Sequence, residues 1–201
     1  MPCLKKRNVR LILGQTGSGK TTLAREYVKS MSRALILDNG FCEFPAVEFL
    51  DIQSLHEHLD SHGNAGGNFR ASYTPLRSQI PTLFTWAREL GQAEELTLVL
   101  EECDRFPTAE SKAHFEELVQ RGRHYGVHIL GLTTHPYAVD IDLRRQATEI
   151  ISFRQHEPND LKWLSAVMTP QALEQIAQLG DYEYIRWTAR TGDIEKGKTK
   201  V

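Results

Sequence analysis

The sequence is poor in cysteine and has no long apolar run. Its 201 residues include three cysteines, at positions 3, 42 and 103, and they form no C-x-x-C pair. This spacing argues against zinc and disulfides and favours a reducing compartment. No apolar run approaches the ~20 residues of a membrane-spanning helix, and the basic N-terminus lacks the apolar stretch of a signal peptide. We therefore expect a cytoplasmic protein.

An excess of positive charge is also missing. The formal net charge is −2, whereas domains that coat DNA by bulk charge are strongly basic. Contact with nucleic acid would therefore have to be local or built from several subunits. With 40% hydrophobic and 25% charged residues, the composition is that of a globular protein. We expect one domain over residues 1–201, with loose ends at about 1–7 and 192–201.

Near the start, the stretch from Gly14 to Thr21 matches the P-loop pattern G-x-x-x-x-G-K-[ST] at every fixed position. Its glycines let backbone N–H groups wrap a phosphate. Lys20 can reach the β- and γ-phosphates, and the Thr21 hydroxyl can hold Mg²⁺. The predicted nucleotide-binding residues are Gly14, Gln15, Thr16, Gly17, Ser18, Gly19, Lys20, Thr21 and Thr22.

Periodicity around this loop predicts an α/β fold. Apolar runs predict strands at 9–13, 34–37, 69–73, 96–100, 127–133, 149–153 and 183–187, the last as an edge strand. Amphipathic segments predict helices at 21–31, 54–62, 81–90, 109–125 and 170–179. This alternation predicts a P-loop NTPase fold with a mostly parallel sheet flanked by helices on both faces.

The strand at 96–100 ends in two acids, Glu101 and Glu102, in the manner of a Walker B segment. The first acid of such a pair holds Mg²⁺ and the second activates the attacking water. We therefore predict that Glu101 and Thr21 hold Mg²⁺ and that Glu102 is the general base. Glu101 departs from the usual Asp at its position.

The acid pair favours a hydrolase, which needs a base for water. ATP is the expected nucleotide because the sequence has no Asn-Lys-x-Asp motif of the guanine-reading kind. Two other classes stay open. One is a nucleotide-gated assembly factor with slow turnover. The other is a P-loop kinase similar to type II thymidine kinase, although three scattered cysteines cannot supply that family's four-cysteine zinc site.

Motifs in the second half resemble the FtsK/HerA superfamily of DNA-translocating ATPases. They are the segment 121–130, Arg-Gly-Arg-His-Tyr-Gly-Val-His-Ile-Leu, and the segment 132–136, Leu-Thr-Thr-His-Pro. Residues 142–146, 153–154 and 157–161 continue the pattern. The resemblance covers nearly the whole chain and is greatest to the genome-packaging ATPases of tailless icosahedral viruses with an internal membrane.

This resemblance implies an ATP-hydrolysing translocase that moves double-stranded DNA into a preformed capsid. It also implies a homo-oligomeric ring, commonly a hexamer, located in the host cytoplasm or with the virion, and a capsid or membrane vertex protein as a further partner. A conjugation or secretion ATPase of the same superfamily is the alternative.

The resemblance also assigns two site roles. An arginine from the neighbouring subunit completes each ATP site, and Arg123 is the first candidate, ahead of Arg121 and Arg105. Thr134 matches the strand-end polar sensor, which is usually Gln in the family. Because the Thr side chain is shorter, His135 is the alternative sensor.

Overall fold

A computed structural model describes residues 8–40, 44–63 and 66–200, and the structural statements below refer to these residues. The strands are β1 Val9–Leu13, β2 Arg33–Leu37, β3 Val47–Phe49, β4 Phe69–Tyr73, β5 Leu96–Leu100, β6 Val127–Thr133, β7 Glu149–Ser152, β8 Glu183–Thr188 and β9 Ile194–Lys198. The helices are α1 Lys20–Ser30, α2 Ile52–His58, α3 Ile80–Ala93, α4 Lys112–Tyr125, α5 Ile141–Arg145, α6 Pro158–Leu164 and α7 Pro170–Ala177.

The strands form one mixed sheet in the order β3-β4-β2-β5-β6-β1-β7-β8-β9. Pairing is parallel from β3 to β7 and antiparallel for β8 and β9. The predicted α/β P-loop fold is confirmed. Leu13, the last residue of β1, pairs with Thr133 on one side and Ser152 on the other. The P-loop therefore starts at the carboxyl edge of the sheet.

Helices cover the two faces of the sheet unequally. Leu23, Ala24 and Val28 of α1 pack on one face, against Ile12 and Ile36 among other strand residues. The opposite face is buried by residues of α2 to α7. Since both faces are covered, the central strands are apolar throughout rather than alternating, as β2 illustrates with five buried residues.

The predicted bounds of β1, β4, β5 and β6 coincide with the observed ones. The expectation of a loose segment at 192–201 was wrong for residues 194–198, which form β9, and β8 is consequently not an edge strand. Ion pairs hold this hairpin: Lys196 Nζ lies 3.1 Å from Glu183 Oε2, and Arg186 Nη1 lies 3.8 Å from Glu195 Oε2. Residues 1–7 and 201 lie outside the described residues.

None of the described helices combines the length and apolar character that crossing a membrane would require.

Candidate functional site

The loop between β1 and α1 needs glycine at both ends. The Gly14 N–H donates to the Thr133 carbonyl at 3.3 Å, and a Cβ on Gly14 would lie 2.6 Å from the Phe153 Cβ. Gly19 precedes α1 with φ +107°, in the region that favours glycine, and a Cβ there would lie 2.8 Å from the Tyr182 ring. The P-loop glycines thus allow a packing that side chains would prevent.

Lys20 is the first residue of α1 and points back over the loop. Its Nζ donates to the Gln15 carbonyl at 2.8 Å. The positive end of the α1 dipole favours anions, and no acidic residue in the first turn of the helix opposes this. This end of the loop therefore suits a phosphate group.

The separate sequence motifs meet in one cleft of about 210 Å³ at the carboxyl edge of the sheet. Its lining consists of Thr16, Gly17, Lys20, Thr21, Asn39, Glu101, Glu102, Leu132, Thr133 and Thr134. A larger cleft of about 580 Å³ lies elsewhere, beside the start of β4, and includes none of these motifs. We place the functional site in the smaller cleft because its chemistry is that of a phosphate and metal site.

The two acids have different surroundings. Glu101 is 7% exposed; its backbone N–H donates to Leu37, and its Oε2 accepts the Asn39 N–H at 3.4 Å. Glu102 has a left-handed backbone with φ +57°, which is uncommon for a residue with a side chain. Its Oε2 lies 2.8 Å from Arg105 Nη1. A buried, oriented carboxylate therefore stands next to a more accessible one.

The residues present fit a Mg²⁺ ion. Thr21 and Glu101 line the same cleft, and hydroxyl and carboxylate oxygens are the ligand type that Mg²⁺ prefers.

Of the two sensor candidates, only Thr134 lies at the cleft. Thr134 lines the cleft, whereas His135 is exposed and its backbone N–H donates to Thr133 Oγ1 at 2.9 Å. The buried Thr133 hydroxyl donates to Asp104 Oδ1 at 2.6 Å. Thr133 and Asp104 thus brace the strand end that presents Thr134.

Arg123 is remote from the cleft of its own chain. It is exposed near the end of α4, just before the seven-residue strand β6 begins, and Thr133 lies at the other end of that strand. A strand of this length spans about 23 Å. Arg121 lies in the same last turns of α4, while Arg105 pairs with Glu102 at the cleft. Arg123 therefore lies at the opposite edge of the sheet from the cleft.

Asn39 was not assigned to the site by the sequence analysis. The position after a parallel strand was the available signal, because ligands in such sheets bind at the carboxyl ends of the strands. Phe153 and Tyr182, which pack against the P-loop glycines, were also missed. Nothing in the sequence near these two residues indicates that they contact the loop.

No protein-family model matches the sequence, and curated proteins give no match either. Solved structures do match. The genome-packaging NTPase B204 of Sulfolobus turreted icosahedral virus 2, in complex with AMPPCP, is 17% identical with a TM-score of 0.74, covering 97% of this chain and 98% of that one. B204 of Sulfolobus turreted icosahedral virus, described as a DNA-packaging ATPase, is 18% identical with a TM-score of 0.77. That match covers 96% of this chain and 98% of that one.

The cytoplasmic domain of the type VII secretion ATPase EccC of Thermomonospora curvata is 16% identical with a TM-score of 0.62. That match covers 95% of this chain and 25% of that one. At these identities the likeness is one of fold. The resemblance to genome-packaging ATPases, predicted from the motifs, is confirmed at the level of the fold.

Proposed function

We propose that this protein is a Mg²⁺-dependent ATPase that translocates double-stranded DNA into a viral capsid. The observation that carries the proposal is the single cleft in which Lys20, Thr21, Glu101 and Glu102 meet. A kinase would need a pocket for a phosphate acceptor, whereas this cleft offers a carboxylate for water.

In this mechanism each group has one task. The P-loop N–H groups and Lys20 bind the β- and γ-phosphates. Thr21 and Glu101 would hold Mg²⁺, which when bound would neutralise charge on the phosphates. The Glu102 carboxylate accepts a proton from water as the water oxygen bonds to the γ-phosphorus and the bond to the β-phosphate oxygen breaks. Thr134 contacts the γ-phosphate or the water. The products are ADP and phosphate.

Two observations support DNA packaging over other uses of an ATPase. The two B204 structures match with TM-scores of 0.74 and 0.77, against 0.62 for EccC, and each match covers 98% of the B204 chain. Its net charge of −2 suits a ring, in which a few repeated groups line a central pore, better than a monomer that binds DNA alone.

The ring also accounts for Arg123. Since the arginine is remote from its own cleft, we propose that it completes the ATP site of the neighbouring subunit in a hexamer. A capsid or membrane vertex protein is the proposed docking partner, and the proposed location is the host cytoplasm or the virion.

The second candidate is a secretion ATPase. It is favoured by the fold match to EccC, although that match covers only 25% of the solved EccC chain. A motor for peptides would be stimulated by its peptide substrate and not by duplex DNA.

Phosphate release with and without duplex DNA tests the proposal. We expect ATP turnover that DNA stimulates, that rises with protein concentration as rings assemble, and whose stimulation falls with added salt. Lys20→Ala, which removes the charge at the phosphates, should abolish turnover without unfolding the protein. Turnover by a folded Lys20→Ala variant at the normal rate would reject the ATPase assignment, and turnover unaffected by DNA would reject the DNA motor.

A further inference from the structure

Asn39 lies on the wall of the cleft opposite the P-loop. It follows β2, which neighbours β5 on the side away from β6 and β1. With strands ~4.8 Å apart, β2 lies about 14 Å from β1. Asn39 nevertheless lines the same cleft as Lys20 and Thr21. The cleft therefore extends from the phosphate loop to this residue.

The turn that carries Asn39 is held by its neighbour Asp38. Asp38 is 6% exposed, and its Oδ1 accepts the Gly40 N–H at 2.7 Å and the Thr74 hydroxyl at 2.8 Å. The Ser72 hydroxyl donates to its Oδ2. A buried carboxylate with three donors holds one conformation, because any other would leave buried polar groups unpaired.

Asn39 lines the cleft and contacts the first acid of the pair. Its backbone N–H donates to Glu101 Oε2 at 3.4 Å and so orients the metal-side carboxylate. Its carboxamide has an acceptor oxygen and two donor hydrogens. One such group can accept a hydrogen bond from a water molecule and donate one to a phosphate oxygen.

We propose that the Asn39 carboxamide orients the attacking water beside Glu102. The inference rests on the proposed ATPase function. Attack has to be in line with the leaving β-phosphate oxygen. Because the P-loop holds that phosphate at the end of β1, the water approaches from the side of β5 and β2. An amide does not take up a proton at neutral pH, so Asn39 orients the water and Glu102 accepts its proton.

Single-turnover hydrolysis of ATP by the full chain at saturating Mg²⁺ tests this role. We expect Asn39→Ala to lower the rate about 10²-fold, the size of effect seen when one preorganised donor is lost. The affinity for a non-hydrolysable ATP analogue and the Mg²⁺ concentration for half-maximal rate should stay within about twofold, because the variant keeps the backbone N–H to Glu101. Asn39→Ser, which keeps a donor and an acceptor, should recover part of the rate.

Asn8→Ala is the matched control, since Asn8 is exposed and precedes β1 at the opposite edge of the sheet. It should leave the rate unchanged. Should Asn39→Ala unfold, Asn39→Ser and the isosteric Asn39→Asp carry the test, and Asn39→Asp should also be slow because it lacks the donor.

An unchanged rate in folded Asn39 variants would overturn the inference while leaving the ATPase proposal intact. A loss of analogue binding, or a raised Mg²⁺ requirement that accounts for the slower rate, would also overturn it, because Asn39 would then act on binding or on Glu101. Absence of phosphate release from the unaltered chain, with or without DNA, would instead reject the ATPase proposal and this inference with it.

Discussion

Glu102 and Arg105 form an ion pair within a single turn after β5, with Oε2 2.8 Å from Nη1. The Arg105 side chain is 71% exposed, so water screens the pair, which is worth at most about 1 kcal/mol. A pair this weak can open when a nucleotide enters the cleft. The Glu102 side chain keeps 26% of its surface exposed, although its Oε2 atom is itself buried.

Neutralising each of the two acids should have a different effect on hydrolysis. Glu102→Gln should slow hydrolysis by ~10²–10⁴-fold, the usual contribution of a general base, with ATP binding retained. Glu101→Gln should instead raise the Mg²⁺ concentration needed for half-maximal rate. Steady-state rates over a Mg²⁺ series, with exposed Glu174→Gln on α7 as control, check both. The opposite pattern would mean that the two roles are exchanged.

The close packing at Gly14 predicts that a larger residue there lowers both stability and nucleotide affinity. Gly14→Ala places a Cβ 2.6 Å from that of Phe153, and overpacking of this kind costs about 1–3 kcal/mol. It should also weaken nucleotide binding, because the loop must move. Gly192→Ala is the matched control: φ is +73° there, but no described atom lies within 4 Å of the added carbon.

Gly192→Ala should therefore cost only the left-handed backbone term of roughly 1–2 kcal/mol and keep normal binding. Urea unfolding and titration with an ATP analogue measure the two effects. Equal analogue affinity in both variants would show that the loop tolerates the extra carbon.

Arg123 should act between subunits. Arg123→Ala and Lys20→Ala should each be inactive alone, and an arginine that stabilises a transferring phosphoryl group is worth 10³–10⁵ in rate in other P-loop enzymes. Mixed rings contain some interfaces with an intact P-loop and an intact arginine, so mixing should restore part of the hydrolysis. Mixed assembly seen by mass measurement without any recovery would leave Arg123 as a structural cation.

Asp160 should make stability depend on pH. The carboxylate is 4% exposed and accepts the Tyr137 N–H at 2.9 Å. Burial raises its pKa above the ordinary 3.8, and this outweighs the opposing effect of that hydrogen bond. The folded chain thus binds this proton more tightly than the unfolded chain. The associated stability is complete below the unfolded pKa and is lost as the pH rises through the raised folded pKa.

Asp160→Asn removes this pH-dependent loss of stability, because the amide does not ionise. The variant keeps an oxygen that can accept the hydrogen bond from the Tyr137 N–H. The variant should therefore gain stability over the unaltered protein as the pH rises from about 3 to 7, around and above the ordinary Asp pKa. Urea unfolding at several pH values measures the difference. A difference that stays constant, or shrinks with rising pH, would contradict the raised pKa.

The elements that sequence patterns predicted well are those with strong local signals. The bounds of β5 and β6 coincide with prediction because each is a continuous apolar run ended by polar residues. The three-residue β3 and the five-residue α5 were missed, since segments this short are stabilised by their neighbours more than by their own pattern. The strand β9 was missed because its ion-pair partners lie on β8.

The sequence by itself determined the phosphate loop and the acid pair after an apolar strand, because glycine conformation, a lysine ammonium and adjacent carboxylates act within a few residues. Only the tertiary structure decided that β6 separates β1 from β5, that Asn39 joins the cleft, and that Arg123 lies at the far edge of the sheet. Parallel strands pair through backbone hydrogen bonds that are alike for nearly all residues. Strand order is therefore set by how helices and strands pack over long sequence separations, which local patterns do not record.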